Sequence, residues 1–468
     1  MCKRLHTYTR LSTIKITMKQ KKKSLAAFAV KIMAATGLLL SFASCEKGPD
    51  APTTDNWETS QTVLQSKSSK RGACYSFQIP EEDCRLLGPG ISWAYNWGSS
   101  NSDDKAVEFK KYEIDFCPMA WNANPNSLNQ IRQYVAKHPE CKYLLGYNEP
   151  NLTDQANMTP AEAAQHWPEV EALAEELGLQ LIAPAMNYGT LSGYGDPVVW
   201  LDEFFNLIGG TDKIAGLSIH WYSNADGTDM KGYVEKFLKY GKPIWVTEFC
   251  GTGKNESTQM NYMCNAAGYL EACPEVFRYS WFMPRGSGAS WNPPTVFNLL
   301  ESSTYELTDL GTVYVNMSTL DQNVYYPAGS MVPAEHYCAT HLSEDLSKDA
   351  IQVRPSEDPE DNDGNSLDIY NFNYTSVSGS KWVEYGLNTE EAGNYTFQFR
   401  YKAHKLIAPK VEFFIDGESK GEFEWPSAEG EWSNFEIEIP LKQGNQRLRI
   451  QVNEGIITNL NWFRFAKG

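Results

Sequence analysis

Eight short apolar segments alternate with amphipathic stretches between residues 70 and 320, and this alternation constrains the fold more than any other feature. Such segments, separated by helical patterns, are typical of strands in a parallel sheet whose faces are covered by helices. Eight such units in about 250 residues predict a (β/α)8 barrel. The predicted strands are 71–77, 91–97, 113–121, 143–149, 179–186, 215–222, 243–249 and 276–283.

Five stretches between these strands carry apolar residues at helical spacing. One of them begins with Thr159-Pro160-Ala161-Glu162, a capping box with proline at the first helical position. The main alternative fold is a doubly wound open sheet. That fold typically has a glycine-rich, phosphate-binding turn after its first strand, and the sequence has none there. The predicted helices are 126–138, 160–177, 196–208, 229–240 and 256–272.

The hydrophobic period changes to two after residue 330, with turn signals between short strands and no long helical pattern. This alternation predicts an antiparallel β-sandwich of the jelly-roll kind over 330–468. The fold class is therefore α/β, a barrel over 70–320 followed by a sandwich, with the junction at 318–330. The predicted sandwich strands are 381–387, 394–402, 410–415, 433–441, 446–452 and 459–465.

The N-terminus has the pattern of a bacterial lipoprotein signal. Lys21–Lys23 precede an apolar stretch that ends in small residues before Cys45, and Met18 is an alternative start. We expect residues 1–44 to be removed, Cys45 to be lipidated, and 45–69 to form a polar tether. A transmembrane helix is the other interpretation. The protein is thus expected to be exported and anchored by lipid to a bacterial (outer) membrane, on its periplasmic or surface face.

The charge and the cysteines restrict the possible partners. The net charge is −17, and residues 1–44 contain no acidic residue, so the remainder is more acidic still. Such a surface repels nucleic acid, and we expect a neutral ligand and a monomer. No Cys-x-x-Cys pair occurs, which gives little support to a zinc or redox site. Export allows disulfides, and the candidate pairs are Cys264–Cys273 or Cys74–Cys84.

Two glutamates end predicted strands of the barrel. Glu149 follows Asn148 at the end of strand 4, and Glu248 ends strand 7. Reactive groups of such barrels lie at the carboxyl ends of the strands. A lone glutamate there is more often a solvated rim residue, but a pair in aromatic surroundings suits glycoside hydrolysis. Glu149 would be the acid, Glu248 the nucleophile, and Asn148 a ligand for a sugar hydroxyl.

Aromatic residues, an asparagine and a histidine accompany the two glutamates at the strand ends. Sugars present flat apolar faces and a rim of hydroxyls, which these side chain types suit. Core packing is the alternative for the tryptophans, and a structural role is the alternative for the histidine. The predicted substrate-binding residues are Asn148, Trp93, Tyr95, Trp121, His220, Trp221, Tyr222 and Trp281.

Residues 70–300 resemble glycoside hydrolase family 128, the alkali-sensitive-linkage group. The matching stretches are KRGACYSF, SWAYNW, FCPMAWN, LLGYNEPN, LIAPAMN, LSIHWY, WVTEFC and YSWFMP. The resemblance implies an endo-β-1,3-glucanase that retains anomeric configuration, with Glu149 as acid/base and Glu248 as nucleophile. The two carboxyl groups should then lie about 5–5.5 Å apart. No cofactor is expected for catalysis.

Residues 331–468 resemble a family 6 carbohydrate-binding module, through PAEHY at 333–337, the stretches 381–403 and 413–426, and NLNWFRF at 459–465. The resemblance implies that Tyr374, Trp432 and Asn459 bind glycan, although Trp432 could instead be core. The resemblance also suggests a structural calcium ion in the module, for which Glu335 is a possible ligand. Pro333 stands where such modules commonly have a carboxylate or amide.

Two functions of different classes stay open from the sequence. The first is a lipid-anchored glucanase with β-glucan as its substrate and an appended binding module. The second is a surface lipoprotein that captures glycan without hydrolysis. Within the enzyme class, another β-glycan such as xylan is an alternative substrate.

Overall fold

The computed structural model describes residues 65–468, except 224–225, 254, 287–295, 342–348, 360–366, 377–378 and 428–429. The predicted lipoprotein signal, Cys45 and nearly all of the tether lie outside the described residues. None of the helices in the described part is both long and apolar enough to cross a bilayer.

Eight parallel strands form the first sheet, in the order β3-β2-β1-β8-β7-β6-β5-β4. The sheet closes where Met119, just after β3, bridges to Leu145 at the end of β4. This closure and the parallel pairing confirm the predicted (β/α)8 barrel. The strands are Arg71–Cys74 (β1), Trp93–Tyr95 (β2), Asp115–Phe116 (β3), Tyr143–Leu145 (β4), Gln180–Met186 (β5), Gly216–Ser223 (β6), Ile244–Gly251 (β7) and Val276–Trp281 (β8).

The described residues of the barrel region contain eight α-helices. Thr159 and Glu162 form the predicted capping box, satisfying backbone N–H groups at the start of the fourth helix. The sixth helix is shorter than predicted and is followed by a 3₁₀ turn, Leu238–Tyr240. The helices are Pro80–Leu87 (α1), Asp103–Lys111 (α2), Pro125–Lys137 (α3), Pro160–Leu177 (α4), Pro197–Leu207 (α5), Met230–Glu235 (α6), Glu256–Ala272 (α7) and Asp309–Asn316 (α8).

Arg71, on β1, connects the first strand to the last helix of the barrel through hydrogen bonds. Its fully buried guanidinium donates to the carbonyl oxygens of Tyr314 at 2.8 Å and Ser318 at 3.0 Å, and it pairs with Glu271. A buried guanidinium is tolerated only when its donors are satisfied in this way. The segment that follows α8 is therefore an integral part of the barrel.

The C-terminal part is built from antiparallel strands around an aromatic core that includes Phe399, Trp425 and Phe463. The main strand order is β17-β16-β19-β14-β13-β20-β15-β18, which confirms the predicted sandwich. The strands are Tyr326–Pro327 (β9), Met331–Pro333 (β10), Ala339–Thr340 (β11), Gln352–Pro355 (β12), Leu367–Thr375 (β13), Gly379–Thr389 (β14), Gly393–Ala403 (β15), Lys410–Ile415 (β16), Glu418–Glu424 (β17), Trp432–Leu441 (β18), Gly444–Glu454 (β19) and Ile456–Lys467 (β20).

All eight cysteines of the described residues are free, so neither candidate disulfide is formed. The Cys264 Sγ lies 3.8 Å from the Val353 carbonyl, whereas the Cys273 Sγ contacts Tyr269 Oη. The Cys74 Sγ lies 3.2 Å from the Trp281 carbonyl inside the barrel. These thiols are directed toward other partners, which corrects both predicted pairs.

The sandwich packs directly on helix α7 of the barrel. The Asn265 Oδ1 accepts hydrogen bonds from the Ala350 backbone N–H at 3.3 Å and from Gln352 Nε2 at 3.0 Å. Arg354, on β12, donates to Asn261 on α7. Ile351 is 4% exposed at this contact. Barrel and sandwich thus share a buried interface in addition to the covalent junction.

This interface predicts that the sandwich stabilises the barrel. Removing residues 321–468 exposes the α7 surface that β12 covers, at a cost of about 2 kcal/mol. For a domain of the barrel's size this corresponds to a melting temperature lower by about 4–8 °C. Differential scanning calorimetry of residues 65–320 and 65–468 measures the difference. An unchanged melting temperature would mean that the two parts are thermodynamically independent.

Candidate active site

The carboxyl ends of the barrel strands surround a cleft of about 730 Å³. This volume is within the usual range for small-molecule and oligosaccharide sites. Aromatic residues form much of its wall, and the two predicted glutamates are among the lining residues. The lining consists of Trp97, Trp121, Asn148, Glu149, Leu152, Asp154, Gln155, Asn187, Tyr222, Glu248, Thr252 and Phe282.

Glu149 is placed by the turn that follows β4. Gly146 begins this turn against β5, where an added Cβ would lie 2.8 Å from the Ile182 carbonyl, so only glycine fits. The Glu149 backbone N–H then donates to the Ala185 carbonyl at 2.9 Å. Its φ of +45° is in the left-handed region, which costs about 1–3 kcal/mol for residues other than glycine. The surrounding hydrogen bonds hold the side chain in this strained position.

Glu248 extends from β7 at the base of the cleft, where it is 5% exposed. Its Oε1 accepts hydrogen bonds from Tyr95 Oη at 3.1 Å and from Trp97 Nε1 at 2.7 Å. Its Oε2 accepts a hydrogen bond from Tyr222 Oη. Three neutral donors fix the orientation of this carboxylate and favour its charged form.

His220 lies between the two glutamates and is fully buried. Its Nδ1 is 2.8 Å from Glu149 Oε1 and 3.5 Å from Glu248 Oε2. The Asn187 Nδ2 donates to the same Glu149 oxygen at 3.0 Å. An oxygen of Glu149 and an oxygen of Glu248 lie within 4.8 Å of each other and of the histidine nitrogen. The site is therefore one compact cluster of three titratable groups.

The pKa values of these three groups are shifted together. Burial lowers the pKa of His220, but the charges of Glu248 and Glu149 and the hydrogen bond to Glu149 outweigh it and raise the pKa. Burial raises the pKa of Glu149, but the charge and hydrogen bond of His220 and the Asn187 bond lower it overall. Burial and the charge of Glu149 raise the pKa of Glu248, and they outweigh the lowering by the charge of His220 and by the hydrogen bonds from Tyr222 and Trp97. The cluster shares its protons, so its titration belongs to the group.

Within the described residues, this cluster is also the group of histidine, cysteine and acidic side chains close enough together to be considered for a metal ion. The His220 Nδ1, the Glu149 Oε1 and both carboxylate oxygens of Glu248 are engaged in hydrogen bonds with one another or with neutral donors. The arrangement is that of a proton-sharing cluster. The expectation that catalysis needs no cofactor stays a prediction.

The structure brings several predicted binding residues to the cleft. Asn148 and Trp121 line it, together with Tyr222. The Asn148 Oδ1 is buried and has no hydrogen-bond partner among the described residues, which suits a sugar hydroxyl. Tyr95 lies beneath Glu248 and reaches that carboxylate instead of the cleft. His220 likewise contacts the two glutamates and not the cleft wall.

Three predicted tryptophans are not among the residues that line the cleft. Trp93 is fully buried at the opposite end of β2, where its Nε1 donates to the Lys70 carbonyl at 2.9 Å. Trp281 is fully buried and donates to the Phe297 carbonyl at 2.8 Å. Trp221 is half-buried and stacks on Tyr233 with ring centroids 4.1 Å apart. These side chains pack in the protein and do not line the cleft.

The sequence analysis missed Trp97, Asn187 and Phe282 as site residues. Trp97 and Asn187 contact the two glutamates directly, and all three line the cleft. Each lies just after the carboxyl end of a strand, and this position is the sequence feature that could have identified them as site residues. Trp97 has a φ of +59°, a turn conformation that period-two alternation does not indicate.

The predicted glycan-binding residues of the sandwich are only partly brought together. Lys402 is in register with Trp432 on one side and with Asn459 on the other. Tyr370, not Tyr374, is level with Asn459. Tyr374 lies four residues further along β13, about 13 Å by strand rise. It is 48% exposed, whereas Asn459 is buried and donates to Asp368 at 3.0 Å.

Glu335, the possible calcium ligand, is 1% exposed beside the short strand β10. Calcium prefers six to eight oxygen ligands, several of them carboxylates. Among the described residues, no group of three acidic, histidine or cysteine side chains includes Glu335. The side chains give the calcium prediction no further support.

Comparison with known proteins identifies both parts of the chain. Residues 72–314, just over half of it, match the family described as glycosyl hydrolase catalytic core. Residues 358–467 match the carbohydrate binding module (family 6). Among curated proteins, alkali-sensitive linkage protein 1 of Schizosaccharomyces pombe is 29% identical over 271 residues, 54% of this chain and 45% of that protein. This chain therefore matches less than half of that relative's length.

Two solved structures are similar to the barrel. A family 128 (subgroup II) endo-β-1,3-glucanase of Pseudomonas viridiflava is 39% identical, over 53% of this chain and 98% of that chain, with a TM-score of 0.48. An endo-β-1,3-glucanase of the same subgroup from Sorangium cellulosum is 30% identical, over 53% and 97%, with a TM-score of 0.48. By the family match over 72–314, the chain belongs to the glycosyl hydrolase catalytic core family and has a family 6 carbohydrate-binding module after its barrel.

Proposed function

We propose that the protein is a retaining endo-β-1,3-glucanase in which Glu149 is the acid/base and Glu248 is the nucleophile. The observation that carries the proposal is the pair of glutamate oxygens within 4.8 Å at the base of an aromatic-lined cleft. In retaining glycosidases the two carboxyl groups are about 5–5.5 Å apart, whereas inverting enzymes need about 6.5–9.5 Å to admit a water. The short separation supports retention.

The first chemical step breaks the glycosidic bond. Glu248 attacks the anomeric carbon while Glu149 protonates the departing oxygen, which leaves with the reducing-side sugar. The C–O bond to the leaving group is replaced by an ester bond to Glu248. In the second step Glu149 removes a proton from water, whose oxygen displaces Glu248 from the same face that the leaving group occupied. Two inversions give net retention.

The substrate class follows from the cleft and from the resemblance. Trp97, Trp121 and Phe282 offer apolar surfaces for sugar rings, and the unpartnered Asn148 Oδ1 offers an acceptor for a hydroxyl. The β-1,3 linkage rests on the eight sequence stretches that resemble family 128. An open cleft lined on several sides favours internal cleavage of a polymer.

Product analysis tests this proposal. Residues 65–468 are incubated with soluble β-1,3-glucan, xylan and β-1,4-glucan, and the products are separated by anion-exchange chromatography. A ladder of oligosaccharides from β-1,3-glucan supports the endoglucanase. Glucose alone would indicate an exo-acting enzyme, and products from another polymer would change the substrate. Binding of glycan without any product would support the capture lipoprotein instead.

We propose that the sandwich holds the enzyme on its polymer through Trp432. This side chain is half-buried at the start of β18, and the Arg400 guanidinium lies 5.5 Å from its ring centroid. A second attachment raises the effective concentration of substrate at the cleft. Asn459 and the exposed Tyr374 are the other proposed contacts.

The expected result for Trp432→Ala is about two- to tenfold weaker retention on insoluble β-1,3-glucan, because a stacked aromatic ring contributes about 0.5–1.5 kcal/mol beyond the area that it buries. Hydrolysis of short soluble oligomers should be unchanged. Pull-down on insoluble glucan and initial rates on oligomers measure the two quantities. Tyr374→Ala should also weaken retention without changing hydrolysis of the oligomers, since Tyr374 is exposed and is another proposed contact. Equal loss on both substrates for Trp432→Ala would make this residue structural.

We further propose that the protein is exported and acts as a monomer, with Cys45 carrying the lipid that holds it at a bacterial outer membrane. The sequence before and after Cys45 supports this proposal. A Cys45→Ser variant that moves from the membrane to the soluble fraction would agree with it. A variant that stays in the membrane fraction would favour the transmembrane interpretation.

A further inference from the structure

The geometry of the site favours an ionised Glu149 over the protonated acid. The Glu149 Oε1 accepts a hydrogen bond from Asn187 Nδ2 and is 2.8 Å from the His220 Nδ1. The Glu248 Oε2, at 3.5 Å, also faces that nitrogen. A histidine between two carboxylates is stabilised as the imidazolium, and its charge in turn favours the anionic form of the hydrogen-bonded Glu149. Protonating a departing oxygen nevertheless requires a neutral Glu149.

Proton counting resolves this conflict. An imidazolium with two carboxylates holds one proton more than the fully deprotonated cluster. A neutral imidazole with a protonated Glu149 and an ionised Glu248 holds the same number. The two states differ only in the position of one proton along the 2.8 Å line between His220 Nδ1 and Glu149 Oε1. No external acid is needed to pass from one state to the other.

We propose that His220 stores the catalytic proton of the free site on Nδ1 and transfers it to Glu149 Oε1 when a glycan displaces water from the cleft. The proposal rests on the function proposed above, with Glu149 as the acid. It makes His220 a positioning residue that acts through Glu149, and not a sugar ligand. In the transfer the Nδ1–H bond breaks, an O–H bond forms on Glu149, and the imidazole keeps its proton on Nε2.

Substrate binding supplies the driving force for this transfer. Water in the open cleft stabilises the ionised pair of His220 and Glu149. A bound sugar excludes that water, and in the less polar surroundings the neutral pair becomes relatively more favourable. In the second chemical step Glu149 takes a proton from water and can return it to Nδ1. The cluster then regains its initial charge.

The surroundings of His220 favour exchange with Glu149, whose Oε1 is 2.8 Å from Nδ1, over exchange with Glu248, whose Oε2 is 3.5 Å away. The His220 Nε2 is buried and has no hydrogen-bond partner among the described residues, so it offers no second route for the proton. Burial raises the pKa of the nearby hydroxyls of Tyr222 on β6, Tyr95 on β2 and Tyr233 on α6, which keeps them neutral. The same holds for the thiols of Cys250 on β7 and Cys74 on β1.

The pH profile of kcat/KM tests the proposal through His220→Asn. The amide keeps a hydrogen-bond donor beside Glu149 but does not titrate. Glu149 must then hold its proton alone, and a carboxyl group loses it at lower pH than the cluster does. We expect the alkaline limb of the profile to move down by about one pH unit or more. Activity at acidic pH should be largely kept. His166→Asn, on the outer helix α4, is the control and should leave the profile unchanged.

A uniform loss of activity at every pH, with the alkaline limb unmoved, would overturn the proposal, because it would give His220 a purely structural role. NMR titration of the unsubstituted protein gives a readout that needs no activity. The signal of His220 among the seven histidines is assigned by its loss in His220→Asn. We expect an imidazolium at pH 7, with a lower pKa in Glu149→Gln, where one carboxylate is gone.

A neutral His220 at pH 6 in the free protein would also overturn the proposal, whether or not His220→Asn folds. Together with the product analysis, the NMR titration tests the proposed function and the proton store separately. If no glycan is cleaved but His220 is an imidazolium whose pKa depends on Glu149, the proposed function fails and the charge assignment stands. If β-1,3-glucan is cleaved but His220 is neutral, the function stands and the proton store is wrong.

Discussion

Glu248→Gln is expected to lower kcat on β-1,3-glucan by at least about 10³-fold, because the amide cannot form the ester intermediate. The affinity for polymer should change little, since Glu248 is 5% exposed and its neighbours Trp97 and Tyr222 still line the cleft. Steady-state rates and affinity electrophoresis measure the two quantities. Loss of binding with residual turnover would contradict the role of nucleophile.

Rescue by azide separates the roles of the two glutamates. In Glu248→Ala the anion fits the space left by the carboxylate and attacks an activated glycoside directly, so the product has the inverted α configuration. In Glu149→Ala azide attacks the ester intermediate and gives the retained β-glycosyl azide. The reverse pattern would exchange the two roles. Asp154→Asn is the matched control, because this exposed carboxylate lines the same cleft but has no assigned part in the reaction, so the variant should keep most of the activity.

Glu149→Gln is expected to lower kcat/KM on β-1,3-glucan by about 10²–10⁴-fold, the usual contribution of general acid catalysis. A sugar leaving group needs protonation, whereas a dinitrophenolate does not. The loss in the first step should therefore be much smaller with a dinitrophenyl glycoside. Burst kinetics on that substrate would show accumulation of the ester intermediate, because base assistance in the second step is also lost.

An equal loss of activity on both substrates would contradict the assignment of Glu149 as the acid.

The decrease of wild-type activity at alkaline pH also depends on the proton of Glu149. As the pH rises through the raised pKa of His220, the cluster loses the proton that Glu149 needs, so activity falls on the alkaline side. The limb reports a property of the cluster and not of one residue.

The positions of the barrel strands and of both glutamates could be predicted because each rests on local sequence. Apolar runs mark buried parallel strands, and a glutamate directly after such a run comes to the carboxyl edge whatever the details of packing. The local sequence does not determine in the same way at which end of the barrel a side chain lies. Trp93 on β2 and Trp97, two residues after that strand, have the same parity, yet Trp93 donates to Lys70 at one end of the barrel and Trp97 reaches Glu248 at the other.

The role of His220 depends on register between strands, which one sequence does not give. His220 is paired with Glu248 across β6 and β7, just where the register shifts by a bulge. In the sandwich, β9 to β13 and β17 were not predicted, and the sequence of β17, ESKGEFE, is polar and lies at the edge of the sheet. Helices α1, α2 and α8 were missed because each has only eight or nine residues.

The anomeric configuration of the first product tests the central claim most directly. Proton NMR follows the hydrolysis of a short β-1,3-glucan oligosaccharide by residues 65–468 before mutarotation mixes the anomers. The proposed arrangement of Glu149 and Glu248, with oxygens within 4.8 Å, predicts that the β anomer appears first. Initial appearance of the α anomer would show inversion and would contradict the assignment of Glu248 as a nucleophile.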